Sequence, residues 1–385
     1  MTDVVVIGAG ISGAACAWEL ASRGVRTTLV ERWHPAAMGS GWSLAGVRQS
    51  GRHPAELPLA RAAVDRWAAL DEALGAKTFY RRQGNLRLAR TAAEADVIER
   101  LVREQSAAGL DIEFLGDHDA IRAVAPAIGP AAIAGSLCRS DGHADAVASV
   151  QAFVAAARRH GAELRVGERV LAIEIAGGRV AGVTTDKGRI AAGAVVLAAG
   201  IFGNELLRPL GLEVPLALHM VTVLRSTPTT RRLDQVIGVA NADCAGRQEV
   251  DGRWRATSGV EPWHGELIDG DAPRVPCAAE ALAGTVSKFG ALVPEFRAAR
   301  IAEIWAGLID LTPDALPVLD APAAAPQGLV IGMGFSGHGF CLGPVTGAIL
   351  ADLATTGASE FPIAPFGLAR FGAMRGSAEP VTLHG

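Results

Sequence analysis

The chain has 385 residues, half of them apolar, with a net charge of −4 and a pI near 6.2. That balance excludes a basic footprint for nucleic acid or an anionic membrane surface, and no uninterrupted apolar run reaches the roughly eighteen residues that a membrane-spanning helix needs. The length exceeds what one core usually serves, so two domains are expected, and five scattered cysteines without metal-like spacing (Cys16, Cys138, Cys244, Cys277 and Cys341) read as reduced thiols of a cytoplasmic protein.

A strand is expected within a few residues of Met1, which leaves no room for a signal peptide. Val4 to Ile7 is a β-branched run suited to a parallel strand buried on both faces, and it leads into Gly8-Ala9-Gly10-Ile11-Ser12-Gly13. In such a turn the first glycine permits the bend. The second lets backbone approach a pyrophosphate, and the third lets the next helix lie close to the strand. Ala14 to Ser22 continues as helix, Gly24 suits a left-handed cap, and Thr27 to Val30 is a second strand closed by Glu31. These are the offsets of a dinucleotide-binding unit, with the helix amino end facing the pyrophosphate and the carboxylate facing a ribose. A carboxylate there repels a 2′-phosphate, so NADP is disfavoured and NAD or FAD remains.

Residues 34–53 are polar and glycine-rich, too rich in small residues for core. Their Arg48 and Arg52, four apart, are either cations facing a ligand or solvated loop arginines. Pro58 to Leu74 has the stripe of an amphipathic helix, residues 78–90 have strand content, and Ala92 to Ala108 is a long helical pattern. A short helix over Asp119 to Val124, an extended Ala134 to Asp145 and a helix over Val147 to His160 follow. Three strands come next, Glu163 to Val166, Glu168 to Ile175 and Arg179 to Thr185, the last two a hairpin about Gly177-Gly178.

Residues 194–203 are a buried strand running into a glycine turn that includes Ala199 and Gly200, where an open α/β sheet presents its ligand side. Val214 to Ser258 alternates strands with turns, and a helix over Ala278 to Phe289 and a strand over Ala299 to Ile309 complete an antiparallel region that looks like a substrate domain. His219, Met220, Trp254, Trp263 and His264 are its candidate pocket side chains. Leu329 to Ile331 is a strand, the loop from Gly332 to Gly339 is glycine-rich, and a helix is expected from near Pro344. A second helix amino end aimed at a ligand suits the electron-rich edge of a reduced flavin, which favours FAD over NAD. His338 in this loop is either a functional group or a hydrogen-bonded loop histidine.

Together these residues carry a family resemblance. Gly8-x-Gly10-x-x-Gly13 with Glu31, the stretch from Trp42 to Arg48, Leu197 to Gly200, Trp305 to Asp314 and Gly334 to Phe340 occur in that order over nearly the whole chain. They resemble the FAD-dependent amino-acid oxidoreductases of the D-amino-acid oxidase superfamily, in the branch of the sarcosine oxidase β subunit, glycine oxidase and D-hydroxyproline dehydrogenase. The resemblance implies an α/β protein, α+β overall. Its Rossmann-like FAD-binding domain would be discontinuous (1–80, 145–212 and 325–385), and its substrate domain (81–144 and 213–324) would be built on an antiparallel sheet. It also implies oxidation of a secondary or D-amino acid, or a related amine, to an imine by hydride transfer to flavin N5.

Carried over position by position, FAD contacts fall at Gly8, Ala9, Gly10, Ile11, Ser12, Gly13, Glu31 and Arg32. They continue at Gly41, Trp42, Ser43, Ala45, Gly46, Val47, Arg48, Val170, Ala199 and Gly200, and close at Gly334, Phe335, Ser336, Gly337, His338, Gly339 and Phe340. Arg48, His338 and His219 are the catalytic candidates, with Arg48 touching cofactor or substrate carboxylate and Arg52 as the second choice. Two departures bear on the transfer. Cys341 stands where monomeric sarcosine oxidase has a carboxylate-holding lysine, and Gly307 stands where it has the cysteine that carries FAD, so FAD here is expected to be non-covalent. The lysine those enzymes use near the flavin to speed reaction with oxygen has no evident match among Lys77, Lys187 and Lys288. Electrons would pass to oxygen, or to a partner redox subunit in a hetero-oligomer. A flavin-binding protein without amine chemistry is the remaining reading.

Overall fold

The strand Val4–Ile7 (β1) is buried along its whole length, as its unbroken apolar run requires, and pairs in parallel with Thr27–Glu31 (β2) and with Ala194–Leu197. The computed structural model describes residues 2–373; the last part of the expected FAD-binding domain, 374–385, lies outside the described residues. β1 is central in a six-stranded sheet ordered 318–320, 329–333, 194–197, β1, β2 and 163–166, in which only the first strand runs antiparallel.

Such a sheet needs apolar cover on both faces. One face is covered by helix Ile11–Ser22 (α1) with helices Ala146–Arg159 and Gly339–Thr355, and the other by the antiparallel strands 170–176, 179–185 and 188–191. α1 and the helix Gly339–Thr355 touch closely because two glycines face the contact. A Cβ on Gly343 would fall 2.3 Å from the Ile11 side chain, and one on Gly347 2.5 Å from that of Ala15.

The second sheet has nine strands, ordered 261–262, 217–228, 253–258, 244–248, 236–239, 85–89, 134–138 and 113–115, with 301–311 paired to 217–228. Its pairings are antiparallel except between 85–89 and 236–239. Leu86, Leu88, Trp254, Phe289 and Phe296 form the core behind it. Trp254, expected as a pocket side chain, is thus a core residue whose ring meets that of Phe289 edge-on at 6.1 Å.

Several sequence-based expectations are corrected. Residues 34–53 are buried or half-buried except at His34, Gly39 and His53, holding the helical turn Gly39–Trp42 (α2) and the short strand Gly46–Val47 (β3), with Ala45, Val47 and Arg52 all inside. Small residues here signal close packing rather than exposure, and Arg48 and Arg52 are not on a helix. The helix Leu57–Leu74 (α3) follows as expected, but within 78–90 only Asn85–Ala89 (β4) is strand, since Phe79 turns the chain at φ +55°. The expected helix at Pro344 begins five residues earlier, at Gly339, directly after the chain reverses at Gly337 (φ +84°). Proline near the amino end removes one helical hydrogen bond and is carried by the long buried helix.

Among the described residues all five cysteines are free thiols, no group of acidic, histidine or cysteine side chains could hold a metal, and no helix is long and apolar enough to cross a membrane.

Candidate functional site

A cavity of about 430 Å³ starts at the carboxyl edge of β1, β2 and the strand Ala194–Leu197 and extends under the nine-stranded sheet. At its first end the backbone leaves β1 through Gly8 at φ +98°, where a Cβ would stand 2.5 Å from the Ala198 carbonyl oxygen; one on Gly13 would stand 1.9 Å from that of Gly8. Neither site has room for a side chain. Gly10, which caps α1, makes no side-chain hydrogen bond; the Ile11 N–H is donated to Ser40 Oγ at 2.9 Å, and the Ser12 and Gly13 amides with the positive dipole end remain for an anion. Glu31 lines the same end, its Oε2 accepting the Ala9 N–H at 2.7 Å and its Oε1 the Trp33 N–H at 2.9 Å. Burial raises the Glu31 pKa, and those two amides work against it. A helix end with open amides, a turn that any Cβ would block and a buried acid are the set that a pyrophosphate with its ribose requires, so these residues fit FAD.

The middle of the cavity is the 36–48 loop, and the nine-stranded sheet holds its backbone. Trp305 Nε1 donates to the Trp42 carbonyl at 3.1 Å, Arg255 Nη1 to that of Ser43 at 2.7 Å and Arg247 Nε to that of Leu44 at 2.6 Å. From the other side the Cys341 thiol receives the Arg48 N–H and donates to the Arg48 carbonyl, both at 3.3 Å, while Trp67 Nε1 donates to the Cys341 carbonyl. Cys341 therefore fastens this loop to the helix Gly339–Thr355; it is buried and does not line the cavity.

At the far end three arginines line the wall: Arg48, Arg52 and Arg87. Arg48 Nη1 donates to the Ser50 carbonyl at 2.8 Å, and Arg52 Nε reaches the Arg48 carbonyl at 3.2 Å and Glu56 Oε1 at 3.3 Å. Behind them Glu56 Oε2 lies 3.0 Å from His338 Nδ1, both buried. Asp141, fully buried, accepts the N–H groups of Gln49 and Ser50 and the Ser50 hydroxyl. Burial, then the neighbouring Arg52 and Arg87, holds the Arg48 pKa well below its ordinary value, and burial followed by Arg52 brings Arg87 down to about 10. Burial pushes Glu56 up, but His338 and Arg52 outweigh it and bring Glu56 down to about 2. His338 is lowered, by burial first and Arg52 next, with Glu56 opposing.

Most of the sequence-predicted positions come together on this cavity. Gly8, Gly10, Ile11, Ser12, Glu31 and Arg32 line its first end, with Val170, Ala199 and Gly200 beside them. Trp42, Ser43, Ala45, Gly46 and Arg48 line its middle, facing Phe335, Gly337, Gly339 and Phe340. Others sit one layer behind. Ala9 is tied to Glu31, Gly13 lies under Gly8, Gly41 is packed on Ala36, and Val47 is fully buried. Gly334 donates to Asp310, Ser336 bonds the backbone of Thr312, and His338 faces Glu56. His219 lies outside the lining, its Nδ1 3.3 Å from the Ala217 carbonyl; Met220 is packed with Val275, Ala306 and Leu308, and His264 is exposed.

Sequence reasoning missed Arg87, Asn85, Asp310, Asp141 and Glu56. A signal existed for Arg87: in Leu86-Arg87-Leu88 the strand period of two puts the arginine on the face opposite the leucine core. Asp310 lines the cavity with Oδ2 accepting the Gly334 N–H at 3.0 Å, and burial raises its pKa to about 6 despite the amides around it.

Comparison with known proteins agrees with this arrangement. Residues 3–353 match the DAO family, described as FAD dependent oxidoreductase. The chain is 27% identical over 441 residues to a D-amino acid dehydrogenase of Cereibacter sphaeroides, covering 98% of this chain and 97% of that protein. It is 28% identical over 384 residues to the peroxisomal sarcosine oxidase of Homo sapiens, covering 96% of each. The crystal structure of an L-proline dehydrogenase from P. horikoshii superposes with a TM-score of 0.88 at 25% identity, over 97% of this chain and 98% of that one. A match over nine-tenths of the length, with the glycine turn, Glu31 and the covering sheet all in place, is decisive: the chain belongs to the DAO family of FAD dependent oxidoreductases.

Proposed function

We propose that this protein oxidises the C–N bond of a secondary or D-amino acid to an imine that water then hydrolyses. The observation that carries the reading is one cavity joining a dinucleotide turn to an arginine-lined wall under the nine-stranded sheet. The D-amino acid dehydrogenase and sarcosine oxidase relatives support the substrate class. When bound, FAD supplies the hydride acceptor. Glu31 and the amides of α1 hold its ribose and pyrophosphate. The arginine wall takes the substrate carboxylate and so fixes which carbon faces the flavin, and the same cations disfavour an ammonium, which keeps the nitrogen lone pair available. The sheet covers the site and excludes bulk water.

On this reading the FAD-binding domain is 1–80, 145–212 and 325–385 and the substrate domain 81–144 and 213–324, the structure describing residues 2–373 of them. Free cysteines agree with a reducing, cytoplasmic setting. A second reading concerns the electron acceptor. None of Lys77, Lys187 and Lys288 lines the cavity, which favours a partner redox subunit over oxygen. An anaerobic screen of amino acids for bleaching of the yellow holoprotein tests the first reading, and a protein that no amine bleaches overturns it. Oxygen consumption compared with dye reduction by the purified chain tests the second.

A further inference from the structure

The nine-stranded sheet presents one continuous row of residues to the cavity. Its registers place Arg87 beside Gly238, Gly238 beside Ala245, Ala245 beside Thr257 and Thr257 beside Val223, and all five line the cavity. Their chain neighbours Leu86, Leu88, Val239, Cys244, Ala256 and Leu224 belong to the core behind the sheet, as the strand period of two requires.

Gly238 is the member of this row that the protein's own packing does not account for. A glycine inside a strand weakens it, and its usual reasons are a positive φ, a bulge or the close approach of another group. Gly238 does not have a positive φ, and Val236 to Val239 pair with Asn85 to Leu88 without a shift of register. No protein atom uses the space either, since a Cβ added at Gly238 would meet nothing within 4 Å. Gly246, on the next strand and the opposite face, shows the contrast: a Cβ there would overlap the Phe289 ring. With Ala245 alongside, half-buried like Gly238, the roof of the cavity is hollow over two neighbouring strands, whose backbones lie about 5 Å apart.

The hollow is apolar. Thr257 Oγ1 lies 3.5 Å from the Ala245 carbonyl oxygen, and the other side chains nearby on this face, Val221, Val223 and Val236, carry no polar atom. Arg87 is the next residue in the row. A carboxylate at the arginine wall and an apolar group in the hollow are thus one to two strand spacings apart, about 5–10 Å, within the span of a single amino acid.

We infer that Gly238 and Ala245 form the subsite for an apolar side chain of the substrate, so that the protein takes amino acids with several aliphatic carbons in preference to ones as small as glycine or sarcosine. This rests on the amino-acid reading above. The test titrates the oxidised holoprotein with acetate and with cyclohexanecarboxylate, which share the carboxylate and differ in apolar bulk, and follows the flavin absorbance. Because no turnover is involved, the outcome is separate from whether any amino acid bleaches the flavin.

Wild type is expected to bind cyclohexanecarboxylate at least about tenfold more tightly than acetate, because the ring removes more apolar surface from water. Gly238→Val fills the hollow with a residue that strands favour. It should weaken cyclohexanecarboxylate binding by about thirtyfold and acetate binding less than about threefold, with neither FAD content nor melting temperature lowered; Gly238→Ala should fall between. Equal binding of the two probes by wild type, binding of neither, or a valine variant that weakens both alike or neither overturns the proposal. A valine variant that loses FAD or melts at a lower temperature also overturns it, because the cofactor or the fold, and not the substrate, would then need the space.

Discussion

Glu56 and His338 are 282 residues apart in sequence, yet Glu56 Oε2 stands 3.0 Å from His338 Nδ1 with both side chains buried. Burial and Arg52 lower the His338 pKa while Glu56 opposes them, and Glu56 is brought down to about 2, so it is a charged carboxylate that faces His338 Nδ1. Glu56 also meets Arg52 at 3.3 Å, so one carboxylate joins the 48–52 loop to the start of the helix Gly339–Thr355. Glu56→Gln should therefore lower stability by about 3–5 kcal/mol, because a buried guanidinium loses its counter-charge. Urea unfolding followed by tryptophan fluorescence checks it, and a midpoint unchanged from wild type contradicts it. A depressed carboxylate pKa gives stability that is present above the ordinary value of 4.5 and is lost as pH falls toward about 2. Wild type should lose stability over that window more steeply than the glutamine variant.

Glu31→Ala should weaken FAD binding on the order of 10²-fold. A charged acceptor contributes about 1.5–3 kcal/mol per hydrogen bond, and the change also frees the Ala9 and Trp33 amides that shape the glycine turn. Recovery of flavin fluorescence on dilution gives the dissociation constant in each protein; equal values would rule the role out. Because burial raises the Glu31 pKa, acidification should release FAD from wild type at a higher pH than an ordinary glutamate would give.

Asp310 offers a pH test at the cavity itself. Its pKa rises from 3.8 to about 6, so it favours the folded state fully below 3.8 and loses that contribution as pH rises through about 6. Asp310→Asn should flatten the melting-temperature profile between pH 4 and 7, and should also remove any inflection near pH 6 in the visible flavin spectrum. A variant with the wild-type profile in both would show that Asp310 does not titrate there.

FAD should be held without a covalent bond. Among the described residues the cavity lining includes no cysteine, histidine or tyrosine, and Gly307 presents only backbone beside Trp42. Acid precipitation is expected to leave all yellow colour in the supernatant, and colour kept in the pellet would refute this.

Arg48→Ala should keep FAD and impair anaerobic flavin reduction by the best amino acid, on the order of 2–5 kcal/mol in the ratio of rate to half-saturation, because a buried carboxylate loses a partner. Arg48→Lys should also be impaired, since it keeps the charge and loses the planar fork. Two variants with wild-type kinetics and full flavin would make Arg48 a structural residue of the loop that Cys341 fastens.

Local chemistry alone determined the nucleotide end. A β-branched run, three glycines, a helix and a terminal acid lie within thirty residues of one another, and each reads through its immediate neighbours, so the sequence located Gly8, Gly10, Gly13 and Glu31 and excluded a bulky side chain at the turn. The same short-range logic found the helices capped by Thr91, Asp117 and Asp145 to within a residue or two. It could not weigh long-range packing. The 34–53 segment looked exposed because its small residues are indistinguishable from a loop until Arg247, Arg255 and Trp305, two hundred and more positions away, are seen holding its carbonyls. The substrate end was likewise decided only by tertiary structure. Arg48 and Arg52 share one loop, whereas Arg87 and Asp310 come from strands far along the chain, and whether they line one cavity depends on how the nine-stranded sheet lies over the six-stranded one, a relation that no periodicity within a single element encodes.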